Sequence, residues 1–330
     1  MTDQTNGDVV VEKLIAASPQ DVFAMMSEPE RLRRWQALSA TVDFQVGGDY
    51  SFTVTPGNVA EGSFLEIEPG RRLVYSWGWA GQEVPATGPS TITVELEPEN
   101  GQTRVRLTHS GLPADQRDGH GEGWVHYTDR LAAAALNGDA GADPWHAAPD
   151  PIDALSAAEA TWAICQIALR RLTPEHKDVA STCTGFTLHD LVEHLVGSMR
   201  SLGGMAGAEI PESIDATSAE DYVAQAVAPA LAAWRARGID GEVPFGSGMA
   251  PAVVPAGILS LEFLVHAWDF ATSIGDSIEV SDEVAAFVLG LGQMIIKPEN
   301  RGEGKGFAAE VATTDDSPLA QLIAFTGRSL

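Results

Sequence analysis

Basic residues are scarce in this chain of 330, where 20 lysines and arginines stand against 46 aspartates and glutamates for a formal charge of −26. Both halves carry the excess, so a nucleic acid or an anionic membrane surface would be repelled rather than bound. Cysteine is scarcer still. Cys165 and Cys183 are too few for a disulfide framework and form no CxxC pair for structural zinc, and they read as one buried thiol on a helix and one in a loop. No apolar run reaches membrane-spanning length by eye, and the first residues lack the basic and apolar regions of a signal peptide, so a cytoplasmic protein is expected. Familiar catalytic loops are missing as well. Gly302-Glu303-Gly304-Lys305-Gly306 lacks phosphate-loop spacing and reads as a surface loop, while Ser110-Gly111 has no Gly-x-Ser-x-Gly context.

What remains is the composition of an ordinary globular protein, 44% hydrophobic and 20% charged, long enough for two domains. The first ~140 residues alternate with period two. Strands are expected at Val9 to Ile15, Val42 to Val46, Tyr50 to Val54, Ala60 to Ile67, Leu73 to Trp79, Thr91 to Leu96 and Arg104 to His109, with turns at Gly47-Gly48, Pro56-Gly57, Pro69-Gly70 and Asn100-Gly101. Sequential hairpins imply an antiparallel sheet. Ser18-Pro19 opens a helix, a second short one runs to Trp35, and a third from about Gly121 to Leu136 offers Trp124, Tyr127 and Leu131 to cover one sheet face.

The alternation puts Tyr50, Phe52 and Val54 in phase, and likewise Leu73, Tyr75, Trp77 and Trp79, and Val105, Leu107 and His109. One helix against a curved sheet can leave a cavity, for which Trp35, Tyr50, Phe52, Tyr75, Trp77, Trp79, His109, Trp124 and Tyr127 are the expected wall. His109 is either a ligand-bonding or acid–base group or a packed core histidine.

From Asn137 to Pro151 the sequence turns to Gly, Asp, Pro and Ala, which reads as a linker. The division expected is a domain over 1–140, a linker over 141–151 and a second domain over 152–330. Beyond the linker, helical periodicity predicts segments at Ile152 to Leu172, Leu188 to about Met205, Ser218 to Arg237, Pro255 to Ile274 and Ser281 to Ile296, a bundle. Within Leu261-Glu262-Phe263-Leu264-Val265-His266-Ala267-Trp268-Asp269, Glu262, His266 and Asp269 share one stripe of an otherwise apolar helix. Such a pair is either a metal site or a hydrogen-bonded polar core. A third ligand would have to come from a facing helix, and His189 and His194 flank the apolar arc of the helix beginning at Leu188. Periodicity does not choose between them. Two imidazoles and a carboxylate would suit zinc, nickel, iron or manganese. Asp269 is either a partner to His266 or a helix-surface carboxylate.

Two stretches carry a family likeness. Thr187-x-x-Asp190-Leu191-x-x-His194-Leu195-Val196-Gly197 with Glu262-x-x-x-His266-Ala267-Trp268-Asp269, and the later Asp316-Ser317-Pro318 to Thr326-Gly327-Arg328, resemble the DinB-like and mycothiol-dependent maleylpyruvate isomerase bundle. That resemblance implies His194, Glu262 and His266 as ligands of a divalent metal, zinc or nickel, with mycothiol as an implied cofactor. The isomerases carry a further C-terminal domain that this sequence does not show. In the first half, Ser18-Pro19-x-x-Val22-Phe23, Arg34-Trp35, Val46-Gly47-Gly48-x-Tyr50, Glu68-Pro69-x-Arg71-x-Leu73-Val74-x-x-Trp77, Thr108-His109-Ser110-Gly111-Leu112 and Gly121-x-Gly123-Trp124 resemble the START-like (SRPBCC) homologues of the activator of heat-shock protein 90 ATPase.

The fold expected is therefore α+β, a START-like helix-grip domain fused to an all-α bundle. The function implied is a metal-dependent isomerase, transferase or hydrolase acting on a small apolar metabolite. The alternatives are a non-catalytic protein that sequesters or carries a ligand, and a chaperone accessory. The partner expected is a small hydrophobic molecule, with a second copy of the chain in a homodimer as the macromolecular option.

Overall fold

The computed structural model describes residues 2–3, 7–82, 89–147, 149–302 and 305–330. Ala148 of the expected linker, and Glu303 and Gly304 of the expected surface loop, lie outside the described residues. The chain divides into two compact units, Met1–Gly141 and Ala142–Leu330.

The first unit contains β1 (Thr2–Asp3), β2 (Val9–Ile15), α1 (Pro19–Ser27), α2 (Pro29–Leu32), β3 (Ser39–Val42), β4 (Asp49–Thr55), β5 (Asn58–Glu68), β6 (Arg72–Trp79), β7 (Ser90–Glu99), β8 (Gln102–Ser110) and α3 (Arg117–Asn137). Seven strands form one antiparallel sheet in the order β2-β8-β7-β6-β5-β4-β3, with the two-residue β1 on the β2 edge. Local chemistry explains the connections. Ser18 accepts from the Asp21 amide and Pro19 fills the first turn of α1. Asn100 and Gly101 both take positive φ, 51° and 80°, which is the two-residue hairpin turn that closes β7 onto β8. The long helix α3 packs on the sheet as a helix-grip fold, burying Trp124, Tyr127 and Leu131 against the in-phase aromatics.

The strand expected at Val42 to Val46 is a correction. The pairing is Ser39↔Thr53 through Val42↔Tyr50, and residues 43–48 leave the sheet in turns, with Gln45 N donating to Asp43 O at 2.8 Å and Gly48 N to Gln45 O at 2.9 Å. The alternation is present there, but Val46 points outward, and Phe44 packs edge-on against Phe23 and Phe64 instead of joining a ladder.

The second unit is helical. It comprises α4 (Ala154–Arg170), α5 (Leu188–Met205), α6 (Ala219–Arg237), the hairpin β9 (Glu242–Phe245) and β10 (Gly248–Pro251), α7 (Val253–Ser273), α8 (Asp282–Ile295) and α9 (Pro318–Phe325). The N-caps are the residues that helix physics prefers: Asp153 with Ser156 and Thr187 with Asp190 in reciprocal capping boxes, then Ser218, Ser281 and Ser317. α7 runs beside α4 and also packs on α5 and α8. It is long and apolar enough to cross a membrane by length and composition, which corrects the impression that no such run exists, yet most of that stretch is buried inside the fold. The hairpin β9–β10 and the helix α9 were not foreseen, since four-residue strands and an eight-residue helix leave little periodicity to detect.

Close packing of β5 on β6 supplies a test. A Cβ on Gly62 would lie 2.1 Å from the Ser76 carbonyl oxygen, so the strands cannot keep their register with a side chain there. Gly62→Ala should destabilise the first unit by about 1–3 kcal/mol, read as a lowered urea midpoint of its unfolding transition. An unchanged midpoint would contradict this packing.

Candidate metal centre and the aromatic core

Helix α7 sets the geometry. Residues four and three apart stand on one face, so Glu262, His266 and Asp269 follow one another along a line, while Leu261, Leu264, Val265 and Trp268 are buried on the rest of the helix. α5 packs on α7 and contributes His194. His194 Nε2 lies 3.2 Å from Glu262 Oε2, and His266 Nε2 lies 3.8 Å from the same oxygen. All three ligand atoms fall within 4.8 Å of one another, so the trio is a possible metal group. The rings of His194 and His266 meet edge-on at 5.1 Å. His189, the alternative on α5, is exposed and outside the group.

Asp269 is a buried partner of His266, not a surface carboxylate. His266 Nδ1 sits 2.9 Å from Asp269 Oδ2. A carboxylate only accepts, so Nδ1 carries a proton, and Nε2 is the ring atom turned toward Glu262. Arg328 grips the same carboxylate with both arms of its guanidinium, Nε to Oδ1 at 2.8 Å and Nη2 to Oδ2 at 2.7 Å, and Thr182 Oγ1 donates to Oδ1. Burial alone would raise the Asp269 pKa, but the hydrogen bonds from His266 and Arg328 and their charges hold it well below the usual carboxylate range. Glu262 shows the same contest. Burial raises its pKa, and the hydrogen bond from His194 together with the charge of His266 brings it below the ordinary value, while the Glu262 hydrogen bond raises His194.

Both imidazoles converge on one buried atom, Glu262 Oε2. His194 is 40% exposed while His266 is 8% exposed, so the group opens on the α5 side, where Phe186 stacks edge-on to His194 at 5.9 Å. Sequence reasoning missed Arg328, Thr182 and Phe186 as parts of this site. Arg328 lay within the stretch that suggested the family, but nothing local gave it a role.

In the first unit, the residues expected to wall a cavity fall into one buried cluster. Trp35, Tyr50, Phe52, Tyr75, Trp77, Trp124 and Tyr127 are core, with Trp79 packed against them. Their polar tips are used internally: Trp35 Nε1 donates to Met25 O at 2.9 Å, and Tyr50 Oη to Ser76 O at 2.7 Å. A cleft of about 680 Å³ lies elsewhere, between α1, α2 and the end of α3, lined by residues such as Met25, Arg34 and Ala135 and by none of the expected wall. His109 is fully buried. Its Nδ1 accepts from Trp124 Nε1 at 3.0 Å and its Nε2 donates to Ser90 Oγ at 2.8 Å, which fixes one neutral tautomer.

A family profile described as activator of Hsp90 ATPase homolog 1-like protein matches residues 16–135, so the first unit contains a domain of that START-like type. The Mycobacterium tuberculosis protein Rv0738 (strain ATCC 25618 / H37Rv) is 34% identical over 151 residues, which span 45% of this chain and 82% of that protein. The chain belongs to that protein's family. MT0763 from M. tuberculosis strain CDC 1551 / Oshkosh matches to the same extent. Human activator of 90 kDa heat shock protein ATPase homolog 1 is 24% identical over 119 residues, 36% of this chain and 34% of that protein. Among solved structures, MLL2253 of Mesorhizobium loti is 28% identical, with 39% of this chain and 96% of that one covered at a TM-score of 0.36. An Aha1 dimer from Colwellia psychrerythraea is 22% identical, with 40% and 97% covered, also at 0.36.

Two expected outcomes follow. Arg328→Ala strips Asp269 of its compensating charge, and breaking a buried pair in this way should cost about 3–5 kcal/mol, measured as a drop in the thermal midpoint of the helical unit. Burial and the neighbouring His120 push the His109 pKa down to about 3. The unfolded chain, with an ordinary histidine near ~6.5, then binds a proton that the folded one refuses. Stability therefore falls as pH drops from about 6.5 toward 3, at roughly 1.4 kcal/mol per pH unit from this group. His109→Gln should flatten that slope in chemical unfolding across the same window, and an unaltered slope would show that other groups set the acid sensitivity.

Proposed function

We propose that this protein is a metal-dependent enzyme of the DinB-like, maleylpyruvate isomerase type, in which His194, Glu262 and His266 hold a divalent cation, zinc or nickel. The observation that carries this reading is the convergence of three ligand atoms: His194 Nε2 and His266 Nε2 both face one buried Glu262 oxygen, at 3.2 and 3.8 Å, and all three lie within 4.8 Å of one another. That spacing lets one cation reach all three, and Asp269 on Nδ1 leaves Nε2 as the His266 ligand atom. Two imidazoles and one carboxylate are a donor set suited to zinc or nickel, and three protein ligands leave a coordination position free.

A bound ion supplies Lewis acidity and lowers the pKa of its water to near ~7. The protein's own residues do the positioning. Arg328 keeps Asp269 ionised, Asp269 holds the His266 ring and its tautomer, and the exposed His194 side gives a small molecule access. Isomerisation, group transfer or hydrolysis of a small apolar metabolite is the chemistry this arrangement serves. A thiol cofactor such as mycothiol fits the same reading, because sulfur is a good ligand for zinc. The ligand-binding fold of the first unit is assigned the capture of an apolar molecule.

Elemental analysis after incubation with zinc or nickel should find one equivalent of metal in the purified protein. His266→Ala and Glu262→Gln should each lower the affinity by about 100-fold or more, consistent with the loss of a direct ligand where outer partners alone are worth 10–100-fold. Wild-type protein that takes up no stoichiometric metal would sink the proposal.

A further inference from the structure

Asp269 is met by three side chains, two of them from stretches far away in sequence. His266 is its neighbour on α7, with Nδ1 2.9 Å from Oδ2. Thr182, 87 residues earlier, donates from Oγ1 to Oδ1, and its amide donates to Ser273 Oγ at 3.2 Å. Arg328, 59 residues later, donates to both oxygens at 2.8 and 2.7 Å. Both distant stretches have fastenings of their own. The Thr182 loop is closed by the Ala180↔Thr187 bridge and by Ser181 N donating to Phe186 O at 2.8 Å. It sets Phe186 against His194 and ends on Thr187, the N-cap of α5. The segment after α9 turns at Gly327, whose φ is 87° and where a Cβ would lie 2.7 Å from Ala308 Cβ and 2.9 Å from the Ala309 carbonyl oxygen. Arg328 N then donates to Ile323 O at 3.1 Å, so the guanidinium leaves the backbone from a fixed point.

The candidate ligands and the C-terminal segment therefore share one carboxylate. If Arg328 withdraws, Asp269 loses two aligned donors and is free to rotate, and the His266 ring loses the acceptor that orients it. A guanidinium near a cation also repels it. The Arg328–Asp269 pair is formally neutral, however, so that repulsion is largely offset and the orientation of the ring decides the sign. We propose that Arg328 is a positioning residue of the metal centre and that the C-terminal segment is a latch coupled to it: docking of residues 326–330 raises the affinity for the ion, and the ion holds the segment docked. Such coupling is reciprocal by thermodynamic necessity. It rests on the metal reading of His194, Glu262 and His266 and adds what controls occupancy of that site.

The test uses the full chain with zinc and nickel salts as probes. Metal affinity is measured by competition with a chelating dye, and docking by hydrogen exchange of the Gly327 and Arg328 amides, a measurement on the wild-type protein that needs no variant to fold. The metal should slow that exchange. Arg328→Lys keeps the charge but cannot span both carboxylate oxygens, and it should lower metal affinity by about 10–100-fold, the range for outer partners of a ligand. Asp269→Asn, at metal concentrations that fill the site, should abolish the slowing. Arg235→Lys controls for stability alone, because it loosens the buried pair joining α6 to Glu159 on α4, and it should leave metal affinity unchanged. Stoichiometric binding with no slowing at 327–328, with unchanged affinity in Arg328→Lys, or with an equal loss in Arg235→Lys would overturn the latch and leave the metal reading standing. Wild-type protein that takes up neither metal would overturn both.

Discussion

The paired grip of Arg328 on Asp269 is the interaction that lets α7 carry a line of polar groups through the bundle. A carboxylate with no exposure, set among leucines and phenylalanines, would cost several kcal/mol unpaired. The guanidinium supplies a compensating charge and two aligned donors, Thr182 adds a third, and the remaining lone pair is spent on His266. Everything nearer the trio inherits its order from that arrangement. The ring of His266 cannot turn without losing Asp269, and its Nε2 therefore faces Glu262. A fixed ring orientation, more than net stability, is what the buried pair contributes.

The first unit manages buried polarity in the opposite way. His109 carries no charge in the core. Its two nitrogens meet Trp124 and Ser90, a donor on one side and a hydroxyl on the other, so that neutrality is enforced by the partners as well as by burial. One unit thus buries an ion pair to hold an imidazole, and the other buries an imidazole without ions.

Much of the architecture was legible because it depends on local spacing. The period of two in Tyr50-Ser51-Phe52 and Leu73-Val74-Tyr75-Ser76-Trp77 reported the buried face of a one-sided sheet correctly, and Ser18, Thr187 and Ser281 announced helix starts. Glu262, His266 and Asp269 had to share a stripe once that segment was helical. Spacing could not go further, because His189 and His194 border the apolar arc of α5 symmetrically, and only the likeness to a known bundle separated them. Alternation also tells which side chains turn inward and nothing about how tightly they close. The expected cavity wall packs on itself, and the open cleft lies beside α1 and α2. Arg328 was unreadable for another reason: its partner is 59 residues away, and no local pattern encodes such a contact. Val42 to Val46 misled because a turn with exposed Val46 imitates a strand's alternation.

The distance in sequence between Asp269 and its partners sets an order of assembly. A chain made from its amino end presents Thr182, then His194, then α7, and reaches Arg328 only after α9 has been completed. Until that arginine arrives, Asp269 has no counter-charge. The stripe on α7 therefore gains its last partner only when the segment after α9 is made. Because α4 and α5 precede α7, the apolar sides of that helix can be covered before the arginine is made, and a chain cut short of Arg328 would hold a packed helix with a buried carboxylate lacking its guanidinium.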